Sequence, residues 1–210
     1  MKSKLGLNPW LSIWIKPRQT IRALIKHDVN FRFILISAIY GFQFMLQFSQ
    51  TFSIGSNFNL IVILLMALIL SIPIGYILFN ISSAFLFWLG KLIKGKGSFK
   101  EVRAANYWSS IPNVITILVW IVLMFVHGNN LFLAGYEKGL TGAGMGINIG
   151  ASILQVVLGI WMIVIFLRSL GEVQGFSAWM ALLNAFLSVL AMFIVSFVVL
   201  WGVSAITHVS

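Results

Sequence analysis

The sequence contains no cysteine, only four acidic residues (Asp28, Glu101, Glu137 and Glu172) and three histidines (His27, His127 and His208). Without thiols there are no disulfides, thiolate metal sites or cysteine nucleophiles, and the redox compartment is not readable. The shortage of acids and bases leaves no HExxH motif, no paired carboxylates in an apolar stretch and no histidine beside a nucleophile. The chain therefore reads as a non-enzyme that needs neither cofactor nor metal. No apolar stretch has a titratable group at its centre, which argues against a proton-coupled carrier.

Charge is scarce overall, at 9% of residues against about 25% in a soluble domain. No Lys, Arg, Asp or Glu occurs in residues 33–90, a length of roughly 87 Å as helix and nearly three hydrocarbon thicknesses. Residues 104–136, 139–167 and 173–210 are likewise free of charge. One charged side chain at mid-bilayer costs about 2.5–3.5 kcal/mol, so a spanning chain must confine charge to short windows. The expected fold is an all-α, polytopic integral membrane protein with an amino-terminal amphipathic interfacial helix.

The spans are predicted at about 32–50, 60–90, 104–126, 147–167 and 178–206, following a basic segment over residues 1–31. Lys2 and Lys4 precede an apolar run over residues 9–15, as in a signal peptide. That run is short, ends in Lys16-Pro17-Arg18 and lacks a small-residue cleavage site, so the segment is read as retained. The second stretch is long for one perpendicular crossing, and Pro73 followed by Gly75 supplies a kink. A single crossing there places thirteen of the fourteen Lys and Arg residues on one side and only Lys138 on the other. The positive-inside rule thus favours five crossings, with the amino terminus cytoplasmic and the carboxyl terminus outside. The glycine-rich outer loop over residues 127–146 is expected to be mobile or tightly turned.

In the basic segment, Trp10, Ile13, Trp14, Ile21, Leu24 and Ile25 recur at helical spacing, while Arg18, Arg22 and Lys26 recur every fourth residue on another face. Asn8-Pro9 and Pro17 each mark a helix start. Such a segment lies in the headgroup plane or simply anchors the first span. With Lys91, Lys94, Lys96, Lys100 and Arg103 it forms a candidate membrane-contact surface. Its basic residues adjoin apolar spans instead of forming a folded basic face, so anionic headgroups, not nucleic acid, are the expected counter-charge.

A second candidate is the polar face of the third span, Asn106, Ser109, Ser110 and Asn113, around Pro112. Lipid offers these groups no partner, so they face another helix or water. They form a small cavity shared with Asn80, Ser82 and Ser83, or they are hydrogen-bonding glue between helices. Ser177, Ala181 and Ala185, and Gly146 with Gly150, make small-residue ridges suited to helix packing, read as packing within the chain. Arg168 and Glu172, four apart at the cytoplasmic end of the fourth span, read as a helix cap or topology anchor, since an exposed pair contributes little. A homo-oligomer is possible but not indicated, since the same ridges could pack between chains.

Asn8-Pro9-Trp10, the stretch Lys16-Pro17-Arg18-Gln19-Thr20-Ile21-Arg22, and Gly95-Lys96-Gly97-Ser98-Phe99 leading into Ala104-Ala105-Asn106-Tyr107-Trp108-Ser109-Ser110-Ile111-Pro112 together resemble the Yip domain family, named for Ypt/Rab-interacting proteins, in its short bacterial form. The resemblance covers most of the chain and implies a five-helix polytopic fold without a known catalytic site, in a bacterial cytoplasmic (inner) membrane. Eukaryotic members act in vesicle trafficking and membrane shaping with small GTPases. About thirty residues precede the first span here, so Rab binding is not carried over. The expected function is membrane organisation or partner binding at the cytoplasmic face, with anionic lipids and other membrane proteins as partners. The alternative is a small-solute transporter or channel with a polar path between spans two and three.

Overall fold

The computed structural model describes residues 6–207; Lys2, Lys4 and His208 lie outside the described residues. The described chain is helical, with no strand, and five of its helical stretches are long and apolar enough to cross a membrane. Two short helices come first, α1 (Pro9–Ile15) and α2 (Pro17–His27). Asn8 caps α1 by accepting from the Trp10 amide at 3.1 Å, and each helix opens on a proline whose missing N–H costs nothing at that position.

The first two spans are α3 (Phe33–Thr51) and α4 (Leu60–Leu92). Asn59 starts α4 by accepting from the Val62 amide, and the helix continues through Pro73, whose ring is exposed on the outer surface. α3 and α4 make the closest helix pair in the molecule, and the cause is two matched Ser-x-x-x-Gly ridges. A Cβ on Gly41 would overlap the Ser71 carbonyl oxygen, and one on Gly75 would overlap the Ser37 carbonyl oxygen. Backbones this close gain dispersion contacts that bulkier residues would forbid.

The third crossing departs from the single helix predicted at 104–126. It is built from α5 (Phe99–Ser109) and α6 (Asn113–His127), with a break at residues 110–112. Pro112 lacks an amide and crowds the preceding turn, and the chain tightens into i to i−3 bonds, such as Ser110 N to Tyr107 O at 3.2 Å and Ile111 N to Trp108 O at 3.4 Å. The last two spans are α7 (Gly142–Gln174) and α8 (Ala178–Thr207). α7 is longer at both ends than the predicted 147–167. It stops at Gly175, which takes the left-handed conformation (φ +71°) that glycine adopts without steric cost.

Two buried clusters hold the ends of the bundle. Near the basic end, Ile13, Ile21 and Leu24 of α1–α2 pack with Phe33, Tyr107 and Trp108. At the other end, Leu46 and Ile63 pack with Trp120, Leu131 and Phe132. The glycine-rich loop is tightly turned and seated there: Phe132 stacks on Trp120 at 6.0 Å, and the Asn129 amide donates to the Gly55 carbonyl at 3.1 Å. The outward residues of α7 and α8, among them Ile153, Ile160, Phe186, Phe193 and Phe197, are exposed, as lipid-facing side chains should be.

The small residues sort differently from the expected ridges. Ala181 is buried, with Asn184 and Ser188 beside it, but nothing in the chain lies within 4 Å of a Cβ added to Gly146 or Gly150. Among the described residues no backbone or side chain is thus pressed against Gly146 or Gly150, and the close intramolecular ridge lies at Gly41 and Gly75 instead. Gly41→Leu should lower the unfolding midpoint of the detergent-solubilised protein by the equivalent of about 1–3 kcal/mol of overpacking, whereas Gly150→Ala should leave it unchanged. A thermal-unfolding comparison of the two variants checks this.

Candidate functional site

The basic segments, far apart in sequence, meet at one end of the bundle because three sets of polar contacts tie them together. The first joins α5 to the turn before α3. The Tyr107 hydroxyl lies 3.0 Å from the Val29 carbonyl oxygen and 3.1 Å from that of Phe31. Arg103 donates to Asn80 Oδ1 at 2.7 Å and to Asn30 Oδ1 at 2.8 Å, with its guanidinium 4.3 Å above the Phe33 ring. Arg103 is thus a half-buried tie between elements, whereas Lys91, Lys94, Lys96 and Lys100 are exposed. Lys91 sits 5.5 Å over the Phe87 ring, a cation–π contact at the end of α4.

The second tie seats the loop between α4 and α5. Gln174, buried at the end of α7, accepts from the Gly97 amide at 3.2 Å, and its backbone carbonyl accepts from the Lys96 amide at 3.0 Å. Its side-chain amide and that of Asn184 both donate to the Leu86 carbonyl, at 3.4 and 3.1 Å. A Cβ on Gly90 or Gly95 would overlap the Gln174 side chain, which explains why glycine stands at both places. Ser98 and Glu101 then close a reciprocal capping box at the start of α5.

The third tie corrects the local pairing of Arg168 with Glu172. Glu172 instead accepts from Arg22 Nε of α2 at 2.7 Å. This hydrogen bond and the carboxylate's charge hold the Arg22 guanidinium above its ordinary pKa. Because Arg22 is largely exposed, such a pair contributes little energy, but it ties α2 to the end of α7.

Trp10 and Trp14, expected to face the membrane surface, are half-buried against the protein, and Trp10 packs edge-on to Trp108 at 5.6 Å. Ile13, Ile21 and Leu24 are fully covered. Much of the apolar stripe of α1–α2 therefore lies on α5 and α7, and Leu11 and Ile15 are the residues left open to a bilayer. Arg18, Arg22 and Lys26 are all exposed, on the face that their four-residue spacing predicts.

The polar cluster is largely bonded within the protein. Asn106 donates to Ser82 Oγ at 2.8 Å and Ser83 Oγ at 3.0 Å, joining α5 to α4. Ser109 and Ser110 donate to carbonyls of their own last turn, and Asn80 donates to the Tyr76 carbonyl while accepting from Arg103. Asn113 is buried at the start of α6. A shallow cleft of about 250 Å³, lined by Ser82, Asn106, Ser109 and Ser110 with Tyr40 and Phe166, remains beside these bonds. Sequence reasoning missed Gln174; its signal was the set of glycines at 90, 95 and 97, against which its side chain is pressed.

The model of the Yip1 domain matches residues 11–200, nearly the whole chain. Comparison with curated proteins and with solved structures gives no match. The chain belongs to the Yip1 domain family, and it is a multi-pass helical membrane protein of that family.

The Gln174 clasp has a local consequence. Replacing it by Leu removes the acceptor of the Gly97 amide and should speed hydrogen exchange there roughly ten- to hundredfold, the size of a lost buried hydrogen bond (about 1–3 kcal/mol). Amide exchange read by mass spectrometry over residues 93–98 checks it, with residues in the middle of α3 as the unchanged reference.

Proposed function

We propose that this Yip1-domain protein organises the cytoplasmic leaflet without catalysing a reaction, by binding anionic headgroups and partner membrane proteins through its basic end. One observation carries the reading. Lys16, Arg18, Lys91, Lys94, Lys96, Lys100 and Arg168 are all exposed on segments held together by the three ties, while Lys138 lies in the loop at the opposite end. Gathered cations on an integral protein attract an anionic membrane surface by about 1 kcal/mol each. The arrangement fits a bacterial inner membrane with the amino terminus in the cytoplasm and the carboxyl terminus outside. In this reading α1–α2 is docked on the bundle as a fixed platform, presenting Arg18 outward and Leu11 and Ile15 to the lipid boundary.

The transporter reading is supported only by the cleft beside Ser82 and Asn106. Against it stands the way Ser82, Ser109, Ser110 and Asn106 spend their donors within the helices, leaving little hydrogen-bonding capacity for a passing solute.

Photo-crosslinking in cells from positions 94 and 100 separates the two. The organiser reading expects discrete membrane-protein adducts that weaken several-fold when Lys91, Lys94, Lys96 and Lys100 are replaced by Gln. Solute flux into proteoliposomes that disappears in Asn106→Leu, with no adducts from either loop position, would overturn it.

A further inference from the structure

We propose that the basin between the α1–α2 joint and the start of α8 binds the phosphate of an anionic phospholipid, with Lys16, Arg18 and Arg168 as its cationic ligands. The proposal rests on the reading that the basic end faces anionic lipid and gives that reading one defined site. The basin has a volume of about 520 Å³, and its lining contains these three cations and Gln19 but no acid. Their charge is left available by the contact that ties α2 to the end of α7. Glu172 lies one turn from Arg168 on α7 and would be its natural partner, but it is bonded to Arg22. Among the described residues no carboxylate pairs with Lys16, Arg18 or Arg168.

The local backbone adds to the attraction. α2 begins at Pro17 with no side chain capping its amino terminus, so the positive end of its dipole adjoins the basin. Three like charges on exposed side chains repel one another unless an anion sits between them, and a phosphate takes several charge-assisted hydrogen bonds at once.

The surroundings select a lipid over a free phosphate. Ile15 lines the basin and is 78% exposed, and Leu11 and Trp179, on the flanking helices, are also open. Large apolar side chains beside unpaired cations suit the boundary between headgroups and acyl chains, where a phosphate meets the cations and the attached chains cover the apolar rim. Inorganic phosphate would leave that rim in water. Sequence alone gave Arg168 only a capping or topological role; the fold brings it to Lys16 and Arg18.

The test uses the full chain in a neutral detergent, titrated separately with dihexanoyl phosphatidylglycerol, dihexanoyl phosphatidylcholine and inorganic phosphate, with binding read by native mass spectrometry and thermal shift. The proposal expects phosphatidylglycerol to bind well above the other two. It expects Lys16→Gln, Arg18→Gln and Arg168→Gln each to weaken binding about tenfold, Arg168→Lys to retain most of it, Lys94→Gln with Lys100→Gln to weaken it much less than any basin variant, and Lys138→Gln, at the opposite end, to change it less than twofold. Equal losses from basin and loop variants would overturn the site while leaving a diffuse basic surface. No preference for phosphatidylglycerol in any variant would overturn both readings, and phosphate binding as strongly as the lipid would overturn the lipid assignment.

Discussion

A charge placed in hydrocarbon without a partner costs several times the thermal energy, and this constraint orders everything else in the molecule. It empties residues 33–90 of charge, sets where the chain can turn, and collects the cations at one end. Once they are collected, the few acids and amides decide what each cation does. Glu172 holds Arg22, Asn80 and Asn30 hold Arg103, and Lys16, Arg18 and Arg168 are left with their charge available. The proposed contact surface is thus made by subtraction, from cations that the fold does not use.

The same constraint applies to neutral polar groups inside the bundle, which must find partners within the protein. Asn106 joins α5 to α4, Gln174 and Asn184 converge on one carbonyl of α4, and the serine hydroxyls near Pro112 bond their own turn. These ties are distant in sequence, and they make one body of the amino-terminal helices, the α4–α5 loop and the end of α7. Close packing of α3 on α4 supplies the rigid pair to which that body is attached.

Much of this was legible in the sequence, because charge and hydropathy report on the bilayer directly. The five crossings follow from such signals, the two helix starts from Pro9 and Pro17, and the family from the resemblance carried by residues 16–22 and 95–112. What stayed hidden depends on which side chain meets which across the bundle. Pro73 and Pro112 look alike in sequence, yet α4 runs through the first with its ring turned outward, while the chain breaks at the second, where Ser109 and Ser110 compete for the carbonyls of the preceding turn. The tight ridge was equally unreadable, since Ser37 with Gly41 and Ser71 with Gly75 carry the same spacing as Gly146 with Gly150, and only the first two meet a facing backbone. The partner of Glu172 belongs to α2, which local spacing along α7 does not report.

The central claim is that all the cations gathered at one end face the cytoplasm. The chain's lack of cysteine makes it directly measurable with single substitutions at exposed positions. In intact cells treated with a membrane-impermeant maleimide, Lys138→Cys should be labelled, while Arg18→Cys and Lys94→Cys should be labelled only after permeabilisation. Labelling of Lys94→Cys from outside, with Lys138→Cys protected until the cells are opened, would contradict the account.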